Sequence, residues 1–577
     1  MKRDQNMKIN RRVFITLLSG LAVGLMAFAP VALAQQLPRK ETLYIGGFQW
    51  GPPTSFNPIA SGTAWPMGQT FGSQYVYETL FVYNLLTGNL DPQLAVKLET
   101  PDASTFRVTL QNGTRWQDGK PLTTADVLYT LELAKRQNLA YSPFWDYVSS
   151  VTAGDAKTFT IKLNSKKLNP GLVRQYLATV QILPQHIWSG LEKTEKSLLQ
   201  YPNTKPVGSG PYVLKEANNE RVVMERNDNY WGKAIWGLPA PKYVVHPIFK
   251  SNDAGNLALE QGQLDISQQF APEIWKMWEQ KKLPISTWFK QPPYHVPGSI
   301  PIMFINVNKK GLDNPKVRRA IAYAINYPLI AQTAMSSYSV PANSSLIIPD
   351  GGEKKFYNAE LVKQYGWSFD PQKAVDILEK ELGAKKGSDG IYVLPDGTRL
   401  GPWKVQCPFG WTDWNQALEI VASSAKAVGI DIKTDFPEFP VANQNMANGT
   451  FDLALWFVAS VGPASPWLRF RDVMDGRDVP PVGQTAFWGY NRYNNPKVGE
   501  LLDKAAGADE ATQKQIYGEL DKIFMADIPA IPLMYRPLEF YEFNESVWTG
   551  FPSAANPKAP PMFTGAGIRM LFIIKPK

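Results

Sequence analysis

Two tryptophans flank a carboxylate and precede an amide in the run Trp411-Thr-Asp-Trp-Asn415. Indole faces hold flat apolar surfaces such as the C–H face of a sugar ring, while Asp413 and Asn415 supply acceptors and a donor for hydroxyl groups. That mixture suits a polar-ligand pocket. The same run also reads as a helix start, with Thr412 or Asp413 as cap and the indoles as a hydrophobic staple, and the residues alone leave both readings open. The chain carries 18 Trp, 3 His and 1 Cys. Most of the indoles are expected in the core or between domains, since aromatic side chains bury large areas. So few His and Cys leave little material for a zinc or copper site, and Cys407 alone forms no intrachain disulfide. No metal and no cofactor is expected. A secreted glycoside hydrolase would need two carboxylates about 5 to 9.5 Å apart, for which Asp413 and a distant Glu could serve, but no local catalytic motif stands out.

The elements that must position this run alternate strand and helix signals with no repeat period. Val405, Cys407 and Phe409 alternate as a strand, the helix that follows carries Leu418, Val421, Ala422, Ala425 and Val428 on one face, and Gly429 stops it. Ile430, Ile432 and Phe436 suggest a returning strand. This is a β-α-β unit, which implies a mainly parallel sheet with ligands outside the carboxyl ends of its strands, where Trp411–Asn415 lies. Elsewhere, Thr105–Leu110 alternates as a half-buried strand ending at the turn Asn112-Gly113. Thr123 with Asp126 forms a capping box for a helix facing the core through Val127, Leu131 and Ala134. Asn314 and Pro315 open another, with Val317, Ile321 and Ala324 as its buried stripe.

The first residues read as an export signal: Lys2, Arg3, Lys8, Arg11 and Arg12 stand against Asp4, Val13–Val31 is mostly apolar, and Ala32-Leu33-Ala34 marks cleavage after Ala34. Arg11-Arg12 fits a twin-arginine signal as well as a general one. No Cys follows to carry a lipid anchor, and no second apolar run of about 18 residues appears, so a soluble extracytoplasmic protein is expected. The remaining chain suffices for two or three domains. A net charge of +9 without any block of like charges does not point to nucleic acid.

Tyr77-Glu-Thr-Leu-Phe81, Thr87-Gly-Asn-Leu-Asp-Pro-Gln-Leu-Ala95, Phe106–Gly113 and Arg115-Trp-Gln-Asp-Gly-Lys-Pro-Leu-Thr-Thr-Ala-Asp-Val127 occur in that order. Pro206-Val-Gly-Ser-Gly-Pro-Tyr212, Glu225-Arg-Asn-Asp-Asn-Tyr-Trp-Gly232, Val317-Arg-Arg-Ala-Ile-Ala-Tyr-Ala-Ile-Asn326 and Ile528-Pro-Ala-Ile-Pro-Leu-Met-Tyr535 follow. Together they resemble family 5 extracellular solute-binding proteins of ABC importers over nearly the whole chain after the signal. The resemblance implies an α/β, two-lobed periplasmic-binding-protein fold (type II, cluster C) with three domains and a hinged ligand cleft. Domain I would comprise 35–78, 204–300 and 531–577, domain II the insertion 79–203, and domain III the second lobe, 301–530.

The family holds peptide and oligosaccharide binders. Its peptide binders typically carry an Asp shortly after a Phe-Asp strand to pair the peptide amino group. Here Phe451-Asp-Leu-Ala-Leu-Trp-Phe-Val-Ala-Ser-Val-Gly-Pro463 offers no carboxylate after Asp452. A buried ammonium left unpaired costs several kcal/mol. Cys407–Trp414, Tyr141-Ser-Pro-Phe-Trp145, Phe48-Gln49-Trp50 with Pro52-Pro53, and Phe56-Asn57-Pro58 are similar to the branch that binds cello- or manno-oligosaccharides. An oligosaccharide is therefore expected, with an oligopeptide as the alternative, delivered by a monomer to a permease in the cytoplasmic membrane. The resemblance nominates Trp50, Trp65, Gln268, Gln269, Phe270, Asn306, Trp411, Asp413, Trp414, Asn415 and Trp456 as cleft residues.

Overall fold

The order of strands along the chain is not their order in space, and the difference explains how distant segments meet. In the computed structural model, which describes residues 37–47, 53, 55–60, 73–249 and 251–577, the largest sheet has seven strands. They run in the order Ile285–Thr287, Glu542–Asn544, Ile266–Ser267, Thr42–Gly46, Tyr243–Pro247, Arg221–Arg226 and Tyr212–Ala217. A four-stranded antiparallel sheet contains Thr105–Leu110 between Ala95–Asp102 and Thr158–Leu163. Its residues alternate in burial as the sequence pattern requires. The helix Thr124–Arg136 opens with the expected capping box: the Thr123 hydroxyl accepts from Ala125 N, and Asp126 accepts from Thr123 N.

The third large sheet has five strands in the order Ile432–Asp435, Trp403–Gln406, Leu453–Trp456, Ile302–Ile305 and Ala530–Pro532. Trp403–Gln406 pairs parallel with both of its neighbours, joined to Ile432–Asp435 by the helix Thr412–Ala427, which is the expected β-α-β unit. The sheet as a whole is mixed rather than mainly parallel, because Ile302–Ile305 runs antiparallel to both Leu453–Trp456 and Ala530–Pro532. Leu453–Trp456 and Ile302–Ile305 are buried at every residue, so both faces of these strands are covered. The helix Pro315–Ala324 begins as expected, with the Asn314 side chain accepting from Lys316 N and Pro315 in the first turn, and it buries Val317, Ile321 and Ala324.

The chain passes from the seven-stranded to the five-stranded sheet through Pro297–Ser299 and returns through Arg536–Pro537. These two segments pair antiparallel as a ribbon. The described residues from Arg39 to Lys577 belong to one compact unit. The expected export signal, with Trp50 and Trp65, lies outside the described residues. Among the described residues no helix is long and apolar enough to cross a membrane.

Candidate functional site

Three parallel strands end on one side of the five-stranded sheet, and each delivers an aromatic there. Trp411 follows Trp403–Gln406, Phe439 follows Ile432–Asp435 at the head of the helix Phe439–Asn448, and Trp456-Phe457 closes Leu453–Trp456. Trp411 and Trp456 stack with centroids 5.9 Å apart and planes 25° apart. Phe439 stacks on Trp456 at 6.1 Å and 16°. Phe457 lies 5.2 Å from Trp411 and 4.7 Å from Trp414. Phe439 is 49% exposed and Phe457 45%, while Trp411 is half-buried. The result is an apolar shelf in which Phe439 and Phe457 reach solvent while Trp456 and Trp414 lie within the fold beneath them. An exposed aromatic cluster at strand ends is the arrangement expected of a ligand-facing surface.

The nominated residues divide around this shelf. Trp411 and Trp456 belong to it, although Trp456 is only 7% exposed. Trp414 is 1% exposed and packs beneath Phe457, so it supports the shelf and offers no face to a ligand. Asp413 is not free for hydroxyls: it is 2% exposed and accepts a bond from Arg536 Nε at 3.0 Å. Neither Thr412 nor Asp413 caps the helix, whose N-cap position is Trp411 with no side-chain bond. Asn415 closes the turn instead, accepting from Gly410 N and donating to Pro408 O at 3.0 Å.

Asn306 is placed away from the shelf. It follows a strand antiparallel to Leu453–Trp456, so the end of its own strand meets the beginning of that one, and its backbone N–H bonds Asp452 O. Its amide donates to Phe451 O at 2.9 Å and accepts from Asn308 N. In Asn306 and Asn415 the same physics acts: chain leaving a strand has open backbone groups, and a nearby amide satisfies them locally. Gln269 is 2% exposed and donates to Asn256 Oδ1 at 3.0 Å, Phe270 is buried against Tyr338 and Phe540, and Gln268 is half-buried.

Sequence reasoning missed Phe439, Phe457 and Arg536. Phe457 was legible as the neighbour of Trp456, whereas Phe439 and Arg536 carry no local signal. Arg536 and Asn252 tie the start of the helix Thr412–Ala427 to the segments that build the seven-stranded sheet, Asn252 donating to the Thr412 hydroxyl at 3.1 Å. Beside Arg536, His295 and Glu542 face each other at 3.6 Å. Burial first, then the Arg536 charge, pushes the imidazole down to about 3, and burial holds the Glu542 carboxyl far above its usual range. Burial likewise pushes the Cys407 thiol up to about 12, so it is no thiolate nucleophile. No group of three metal-ligating side chains occurs among the described residues.

Residues 89–470 match the family model described as bacterial extracellular solute-binding proteins, family 5 middle. A protein of Brucella ovis named as an ABC transporter peptide-binding protein is 24% identical over 532 residues, covering 89% of this chain and 91% of its own. The glutathione-binding protein of Salmonella typhimurium is 26% identical, covering 76% and 78%. Among solved structures, a periplasmic oligopeptide-binding protein of an oligopeptide ABC transporter from Thermotoga maritima, with mannohexaose bound, is 34% identical with a TM-score of 0.84. The match covers 94% of this chain and 100% of that one. The fold is thus a multidomain periplasmic-binding-protein fold, and this chain belongs to the family 5 extracellular solute-binding proteins of ABC importers.

Proposed function

We propose that this protein captures an oligosaccharide outside the cytoplasm, a cello- or manno-oligosaccharide, and delivers it to its importer's permease. The observation that carries the reading is the shelf of Trp411, Phe439, Trp456 and Phe457, in which the exposed Phe439 and Phe457 rings and the half-buried Trp411 indole suit the C–H faces of sugar rings, with Trp456 as their support. The mannohexaose in the Thermotoga maritima structure supports it, as does the lack of a carboxylate in 453–463 for a peptide amino group. Domain I (35–78, 204–300, 531–577), domain II (79–203) and domain III (301–530) would form two lobes. They would hinge at the paired crossings Pro297–Ser299 and Arg536–Pro537, which fits a motion concentrated in two short segments. A ligand drives closure only by contacting both lobes.

An oligopeptide is the second reading, and the names of the Brucella and Salmonella relatives favour it over a sugar. Calorimetric titration of the chain lacking residues 1–34 with cellobiose, mannobiose, mannohexaose, longer β-glucans and short peptides separates the two. Heat with the sugars is the expected result, and heat with peptides alone refutes the sugar reading. Family 5 members are binding proteins, so labelled oligosaccharide incubated with the protein is expected to keep its length. Shortened products would revive the hydrolase reading.

A further inference from the structure

The loop that leaves the shelf runs on to a cavity of about 820 Å³. Val461–Ser465 and Gly351–Phe356 form one side, and Asn169, Gly171 and Arg174 the other. The two sides approach closely: a Cβ on Gly171 would stand 3.2 Å from Pro463 O.

Two polar groups on this wall lack a hydrogen-bond or ion-pair partner among the described residues. Asn169 is 3% exposed and caps the helix Pro170–Thr179, its Oδ1 accepting from Leu172 N at 2.9 Å. Its Nδ2 is buried with no hydrogen-bond partner among the described residues. One turn on, Arg174 is half-buried, with its guanidinium carbon 5.0 Å over the Phe106 ring, and it makes no ion pair among the described residues. Burial alone lowers its pKa, as expected of a cation taken from water without a counter-charge. Glu353 lines the cavity but is bound through both oxygens to Arg469, at 2.7 and 3.0 Å. Lys355 is paired with Glu510, and Lys354 is exposed. Among the described residues the recess is therefore lined by two cations without an ion pair, the half-buried Arg174 and the exposed Lys354, beside a buried amide N–H without a partner and a helix N-terminus.

We propose that this cavity is a carboxylate subsite, in which the Arg174 guanidinium and the Asn169 amide hold a carboxylate group of the ligand. The planar guanidinium fork matches a carboxylate in a bidentate fashion, and Arg174 is the one of the two unpaired cations that burial holds in place, whereas the Lys354 ammonium is exposed to water. The carboxylate has two sources, a uronate in an acidic oligosaccharide or the C-terminus of a peptide. The inference rests on the reading of this chain as a ligand-capturing protein and is independent of which polymer it captures.

The test titrates mannohexaose and a mannuronate hexamer, and tetra-alanine and its C-terminal amide, into the protein and into Arg174→Gln and Arg174→Lys. On the backbone that binds, the carboxylate member is expected to bind tighter by on the order of tenfold or more. Arg174→Gln erases that advantage while leaving the affinity for the neutral member and the melting temperature in place, and Arg174→Lys retains part of it. The responding pair identifies the source. Equal affinities within both pairs, or an advantage that survives Arg174→Gln, overturn the subsite but leave the capturing function standing. Failure of all four probes overturns both.

Discussion

Phe439→Ala separates binding from folding better than any tryptophan substitution at the shelf. Half of the ring is already open to solvent, so little packing is lost when it is removed: full burial of a Phe is worth roughly 1.5 to 3 kcal/mol, and about half of that is at stake. The exposed half is what a ligand would cover. A ring presenting roughly 200 Å² leaves about 100 Å² for that contact, worth about 2.5 kcal/mol at roughly 25 cal/mol/Å². A sugar ring covers the patch incompletely, so about 1.5 to 2 kcal/mol is the expected loss, a dissociation constant weaker by roughly ten- to thirtyfold. Isothermal titration with the best-binding oligosaccharide measures the affinity, and thermal unfolding of the unliganded protein measures the stability. An unchanged affinity for every ligand the parent binds would refute the shelf as the binding face. A stability loss well above 2 kcal/mol would refute the claim that the ring contributes mainly outside the fold.

Trp414→Ala should behave oppositely, destabilising by about 3 to 5 kcal/mol in urea unfolding because its indole is enclosed, with its effect on affinity entering only through the shelf it supports. Arg469→Met leaves the Glu353 carboxylate buried without its bidentate partner and should cost about 3 to 5 kcal/mol, whereas Arg469→Met combined with Glu353→Gln should recover much of it. Burial pushes the Asp521 carboxyl up to about 7, against the bonds it accepts from Ser345 Oγ and Leu346 N. Since about 3.9 is the unfolded value, its contribution to stability is intact below about pH 4 and is lost as pH rises through about 7, on the order of a few kcal/mol. Asp521→Asn should flatten that slope in urea midpoints measured from pH 4 to 8, and parallel profiles for parent and variant would contradict the assignment.

Local chemistry was legible along the chain. The strand Thr105–Leu110, the capping box of Thr123 and Asp126, the Asn314-Pro315 helix start and the β-α-β unit around Trp411 follow from hydrogen bonds and periodicities that span a few residues. The ordered motifs likewise marked the family, since they repeat that local chemistry in a fixed succession. What the sequence could not supply was strand direction and long-range partnership. Asn306 looked like a residue at a ligand-facing strand end, but its strand runs antiparallel, so that end points to the opposite side of the sheet. Asp413 looked free, but Arg536, 123 residues on, occupies it. Phe439 gained its meaning only when three strands aligned their carboxyl ends. Sequence periodicity fixes which face of an element turns inward, whereas which elements become neighbours, and which way each runs, is chosen by packing over the whole molecule, and that choice assembled the shelf.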